Sequence, residues 1–154
     1  MKKVGLIAGS GKFPLLFAQN AVKNNCKVYT IALKEETNPD IEKYSHKVKW
    51  VHLGEFKKAI MFFVLHMVKH LVMAGKVEKK KIFTDIDKDE EMQDFMNSIK
   101  DKRDNTLLAG IINKVEKLGF KFIDSTTFLK EYMSREGVMT KREPDEREKK
   151  DIAI

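Results

Sequence analysis

Val4-Gly5-Leu6-Ile7-Ala8-Gly9-Ser10-Gly11-Lys12-Phe13-Pro14 is the stretch on which the reading of the fold turns. A short apolar run ends in Gly-Ser-Gly-Lys, and Pro14 then opens a helical pattern. Glycines between a strand and a helix let the backbone approach an anion, and the first N–H groups of the helix point at it. Lys12 adds a full positive charge, and Pro14 suits a first helical turn, where no N–H partner is lost. The stretch reads as a loop for a nucleotide diphosphate, with Gly9, Ser10, Gly11, Lys12, Phe13 and Pro14 as candidate contacts. It is not the dinucleotide fingerprint, whose third glycine would stand at Pro14. Nor is it a P-loop, because Phe13 follows the lysine and Leu6 stands where the leading glycine belongs. The plain alternative is a strand-to-helix turn without a ligand.

From there the chain alternates. Val4 to Ala8 reads as a buried strand, followed by a helix from Pro14 to about Asn24 with Leu16, Ala18, Ala21 and Val22 available to the core. Lys27 to Leu33, rich in β-branched and aromatic residues, is the clearest strand. Lys34, Glu35 and Thr37 lie in the polar loop beyond it, where ribose or base contacts gather in doubly wound sheets. Lys47 to Leu53 is a third strand. Gly54 opens an amphipathic helix with Phe56, Ala59, Ile60, Phe63, Val64 and Met67 on one stripe. His70 to Ala74 is the fourth strand, and Gly75-Lys76 again places a glycine and a lysine at a strand end.

Beyond a charged connector from Lys79 to Asp87, Met92, Phe95, Met96 and Ile99 mark a further helix. Another runs to about Leu118, capped by Asp104 or Asn105 at its start and by Gly119 at its end. Phe120 to Asp124 is a fifth short strand, and Ser125 or Thr127 caps a short helix from Phe128 to Met133. The expected fold is α/β, a Rossmann-like three-layer domain over residues 1–133 with a mostly parallel five-stranded sheet. Residues 135–151 carry six basic and six acidic side chains and little apolar periodicity. Residues 134–154 therefore read as a charged linker or tail before a domain this chain does not contain.

Composition narrows the function further. The 154 residues carry a net charge of +7, and residues 1–75 hold all of it, with 12 Lys/Arg against 5 Asp/Glu. That favours an anionic ligand or membrane surface. Basic residues are not interleaved with aromatics on one helix, so no nucleic-acid module is expected. Cys26 is the only cysteine, which excludes an internal disulfide or a cysteine zinc site. The longest apolar run, Ala59 to Leu65, falls far short of a membrane span, and the N-terminus lacks a signal-peptide pattern. A cytoplasmic location is expected. His66 and His70 share the spacing of two metal ligands on a helix, but Met67 stands where a metalloprotease motif needs Glu, and the helix should end near His66.

Four stretches become informative together. They are Gly5 to Pro14; Val72-Met73-Ala74-Gly75-Lys76-Val77; Lys102-Arg103-Asp104-Asn105-Thr106-Leu107-Leu108; and Asp124-Ser125-Thr126 with Gly137-Val138-Met139-Thr140-Lys141-Arg142. In this order, from Val4 to about Asp151, the chain resembles the N-terminal part of the bacterial UDP-2,3-diacylglucosamine pyrophosphatase family of the lipid A pathway, the type that is not a calcineurin-like phosphoesterase. The resemblance implies hydrolysis of the pyrophosphate to UMP and 2,3-diacylglucosamine 1-phosphate, with Mg²⁺. It implies substrate contacts at the glycine loop and at Gly75, Lys76, Arg103, Asp104, Thr106, Asp124 and Ser125. No metal ligand or catalytic base is assigned in this chain, since both are expected in the missing C-terminal domain; Asp104 and Asp124 are the carboxylates to test. The implied partners are UDP-2,3-diacylglucosamine or UDP/UMP and that C-terminal domain. A homodimer and peripheral attachment to the inner face of the inner membrane are compatible with this reading. The alternative is a non-catalytic nucleotide- or anion-binding module.

Overall fold

A computed structural model describes residues 2–34, 36–78, 88–98, 104–134, 137–139 and 141–152. Five parallel strands form one sheet in the order β3-β2-β1-β4-β5, with β1 Lys3–Ala8, β2 Lys27–Leu33, β3 Lys47–Val51, β4 His70–Ala74 and β5 Lys121–Phe122. The crossovers are α1 Phe13–Lys23, a 3-10 helix Pro39–Tyr44, α2 Phe56–Leu65, α3 Glu90–Ser98 and α4 Asp104–Lys117. A further helix, α5 Glu146–Ile152, follows in the charged tail.

Alternation along the strands produces the layers. Val4, Leu6 and Ala8 of β1, Val28 and Ala32 of β2 and Val72 and Ala74 of β4 face one way. They bury Phe17, Ala18 and Ala21 of α1. Tyr29, Ile31, Leu33 and Leu71 face the other way, against Phe62 and Phe63 of α2 and Val115 of α4. Runs buried on both faces are what a parallel sheet covered by helices requires.

Three sequence expectations change. On α1 the buried face is Pro14, Phe17, Ala18 and Ala21, whereas Val22 is about half exposed and Leu16 only half-buried. The stripe that wins is the one packed on β1, β2 and β4. On α2 the helix ends at Leu65, so Met67 leaves the apolar stripe and is 74% exposed, and Val64 in the last turn is 52% exposed. The expected helix from Phe128 to Met133 is a turn followed by the 3-10 helix Lys130–Tyr132, because Asp124 and Thr126 hold the chain in turns. Ile99 and the connector Lys79 to Asp87 lie outside the described residues.

The histidine pair separates for a related reason. Met67, with φ 53°, turns the chain out of α2, so His66 caps the helix while His70 begins β4. The His66 ring stacks on Tyr29 and Phe62, with its Nδ1 2.8 Å from the Phe62 carbonyl. Cys26 is buried, and burial pushes its thiol pKa up.

Candidate site at the carboxyl ends of β1 and β4

In the order 3-2-1-4-5 the crossovers reverse direction between β1 and β4, and the region beyond the carboxyl ends of the strands at such a switch point is where open α/β sheets bind ligands. Gly9 and Gly75 each follow one of these two strands, and they meet. Gly9 N–H donates to the Ala74 carbonyl at 2.8 Å. Ser10 N–H donates to the Lys76 carbonyl at 2.8 Å, and Lys76 N–H returns a bond to Ser10 O at 3.1 Å. Ser10 Oγ adds a second donor to Lys76 O at 3.0 Å. The result is an antiparallel Ser10–Lys76 bridge that zips the two candidate stretches into one structure. Gly75 makes the turn possible: its φ is +92°, and a Cβ there would stand 2.6 Å from Ser10 O and 2.9 Å from Pro14 Cγ.

This bridge redefines what the loop offers. The N–H groups of Gly9 and Ser10 are spent on β4. Those of Gly11, Lys12 and Phe13 have no acceptor among the described residues. Gly11 has φ +94° and open space around it, Lys12 is exposed at the helix N-cap, and Phe13 is 38% exposed. Pro14 is buried in the first turn of α1. An anion at this edge would meet the donors of residues 11–13, the positive end of α1 and the ammonium groups of Lys12 and Lys76.

Thr37, offered by the sequence as a ribose or base contact, is instead buried and structural. Its Oγ1 donates to the Ala8 carbonyl at 2.6 Å and accepts from Leu33 N–H at 2.9 Å. It ties the exits of β1 and β2 together one residue before Gly9. Thr37→Val keeps the shape but leaves both backbone groups buried and unpaired. It is expected to cost about 1–3 kcal/mol in chemical denaturation, whereas Thr37→Ser stays close to wild type. Lys34 Nζ lies 3.1 Å from His52 Nε2, and Glu35 falls outside the described residues.

The remaining candidates reach the same edge by topology. Asp124 follows β5, the neighbour of β4, and its Oδ1 accepts from the N–H (2.7 Å) and hydroxyl (2.6 Å) of Thr126. Those bonds, the hydroxyl first, hold the exposed Asp124 carboxyl below its usual pKa range. The carboxylate is the acceptor that holds this turn together. Ser125 is half-buried in the turn that follows. Asp104 begins α4 and Thr106 lies exposed in its first turn. Arg103 and the side chain of Asp104 lie outside the described residues. The structure thus joins Gly9–Pro14 directly to Gly75-Lys76, and sets Asp124 and Ser125 along the same side of the sheet, with no hydrogen bond to that loop among the described residues. Sequence reasoning missed Thr37 as a brace, and no local pattern around it signals that role.

Fold and loop define a doubly wound α/β domain whose glycine loop closes on the neighbouring strand at the switch point. Residues 3–132 match the LpxI N-terminal domain. The chain belongs to that family. LpxI is the UDP-2,3-diacylglucosamine pyrophosphatase of the non-calcineurin type, which places the family in the lipid A pathway and among hydrolases. The match agrees with the N-terminal resemblance drawn from sequence but is shorter: it covers residues 3–132, so the stretch from Gly137 to Arg142 and the extension to Asp151 lie outside the matched residues.

No curated protein matches the chain in sequence. Among solved structures, the ADP-bound biotin carboxylase domain of the Hydrogenobacter thermophilus 2-oxoglutarate carboxylase aligns with 79% of this chain and 22% of its own, at 9% identity and a TM-score of 0.48. The N5-carboxyaminoimidazole synthetase of Staphylococcus aureus aligns with 53% of this chain and 21% of its own, at 17% identity and a TM-score of 0.40. The chain thus spans about a fifth of the length of these proteins, and likenesses this low bear on neither ligand nor reaction.

Proposed function

We propose that this domain supplies the nucleotide-diphosphate contacts of a UDP-2,3-diacylglucosamine diphosphatase, with the pyrophosphate of the substrate held at the glycine loop. The observation that carries the reading is the Ser10–Lys76 bridge. It holds the stretch carrying the unspent donors of Gly11, Lys12 and Phe13 beside Gly75-Lys76 at one edge of the sheet. In such a site the chain's own part is to bind and orient. The backbone donors and Lys12 take the charge of the diphosphate, and preorganised donors of this kind stabilise charge that develops on phosphorus oxygens.

Magnesium is the metal the family resemblance implies. Among the described residues no three His, Cys, Asp or Glu side chains come together in a way that could hold a metal ion. The described part of the chain therefore does not fit a Mg²⁺ site. Catalytic groups are assigned to a further, C-terminal domain. Among the described residues no helix is long and apolar enough to cross a membrane.

The test is a calorimetric titration of the chain with UDP and UMP, with and without Mg²⁺, paired with an assay of UDP-2,3-diacylglucosamine hydrolysis. Saturable binding is expected, weakened about tenfold in Lys12→Ala by loss of one charged hydrogen bond, with negligible turnover. Full-rate hydrolysis by these 154 residues would refute the division of labour. Binding without turnover even when an LpxI C-terminal domain is added in trans would leave the non-catalytic module as the reading.

A further inference from the structure

Lysine stands at, or immediately before, the start of every strand. Lys3, Lys27, Lys47 and Lys121 are the first residues of β1, β2, β3 and β5, and Lys69 immediately precedes His70 of β4. Strand pairing lines them up. Lys3 is opposite Lys27, Lys47 is opposite Tyr29 two residues further along β2, and Lys121 N–H donates to the Lys69 carbonyl at 2.8 Å. Parallel strands lie about 4.8 Å apart, so the row crosses the sheet over a distance on the order of 20 Å. Lys3 is partly buried, with its Nζ on the His66 carbonyl, while Lys27, Lys47, Lys69 and Lys121 are exposed.

The connectors at this edge, residues 24–26, 45–46, 66–69 and 118–120, contain no Asp or Glu. On the flanking helices, Glu42 accepts a bond from Trp50 Nε1 at 2.6 Å, and Glu116 lies in the last turn of α4. Beside the lysines, at the end of α2, stand two of the most exposed large apolar side chains of the domain. Leu65 is 73% and Met67 74% exposed, and Leu118, just past α4, is 53% exposed. The left-handed φ of Met67 carries the chain out of the helix at this point.

We infer that the amino-terminal edge of the sheet is a docking surface for an anionic lipid bilayer, with the lysines over the headgroups and Leu65 and Met67 entering the interface. Charge complementarity selects the occupant. A second copy meeting the same edge would oppose lysine to lysine, and a nucleic acid has no use for two exposed aliphatic side chains where no aromatic stacks. Each lysine near an anionic leaflet strengthens binding severalfold, and each inserted apolar side chain adds to it. The glycine loop lies at the opposite, carboxyl edge. Bilayer binding is therefore independent of nucleotide binding and does not rest on the function proposed above.

The test is sedimentation of the full chain with vesicles of phosphatidylglycerol and phosphatidylethanolamine, and with phosphatidylcholine alone. Wild type is expected to co-sediment with the anionic vesicles only. The triple variant Lys27→Gln, Lys47→Gln, Lys121→Gln should partition about a hundredfold more weakly. Leu65→Ser with Met67→Gly, both at exposed positions and checked for native circular dichroism, should also weaken partition, and saturating UMP should change nothing. Four outcomes overturn the inference: no partition by wild type, loss through Lys12→Ala in place of the edge lysines, self-association through this edge without vesicle binding, and lysine-dependent binding of a DNA duplex with no vesicle binding.

Discussion

Gly9→Ala is expected to disrupt the candidate site and destabilise the fold together. A Cβ at this position would fall on the Lys76 carbonyl oxygen, with the Lys76 carbonyl carbon at 3.0 Å and its nitrogen at 3.2 Å. All three are backbone atoms, so no rotamer change relieves the contact. The exit of β1 must move away from Gly75-Lys76, and the bonds from Gly9 to Ala74 and between Ser10 and Lys76 go with it. Overpacking of this kind costs about 3 kcal/mol, and with the bridge opened nucleotide affinity should fall below detection. Denaturant unfolding and UMP titration on the same variant read both effects. Gly11→Ala is the control, because an added Cβ there meets nothing within 4 Å and only the +94° φ resists it. Its stability loss should be about 1–2 kcal/mol. Equal losses at the two positions would show that close approach is not what Gly9 provides.

Phe63→Ala should be the most destabilising single truncation on the opposite face. The ring is fully buried, packs edge-on to Phe62 and Phe120 with centroids 5.7 and 6.3 Å away, and covers the glycine in the middle of β1. A Cβ at Gly5 would come within 2.7 Å of it, so helix and strand approach as closely as a bare backbone permits. Removing the ring leaves a cavity between α2, β1 and the entrance to β5, at a cost of about 3–5 kcal/mol. Against a total stability of roughly 5–15 kcal/mol, thermal unfolding should move down by roughly 10 °C. A shift of only a few degrees would mean that α2 contributes little to holding the sheet.

The strands that were legible in the sequence are those whose character is local. Lys27–Leu33 and His70–Ala74 form with the bounds expected from their apolar, β-branched runs, because both are buried on two faces. The face of α1 was legible only in part. Ala18 and Ala21 are buried as expected, but Leu16 and Val22 compete with Phe17 and Pro14 on the same short helix, and the sheet beneath, β1, β2 and β4, decides between them. Asp124 posed a similar problem. Its bonds to Thr126 convert an apparent helix start into a turn.

The candidate site divides in the same way. Glycines at 9, 11 and 75 announce themselves, since each meets a backbone demand that other residues resist. Their closure on one another depends on a bridge between residues 66 positions apart, which no local pattern encodes. Thr37 was misassigned because a buried brace and an exposed ribose contact look alike in a polar loop. What separates them is the hydroxyl's bond to Ala8, residues 29 apart.

Two-dimensional amide NMR of the uniformly labelled chain, titrated with UDP, tests most directly whether the glycine loop is the ligand site. The largest saturable shifts are expected at Gly11, Lys12 and Phe13, whose N–H groups have no acceptor among the described residues. Smaller ones are expected at Gly75 and Lys76, through the bridge. Shifts confined to other edges of the sheet, or an unchanged loop at saturating UDP, would contradict it.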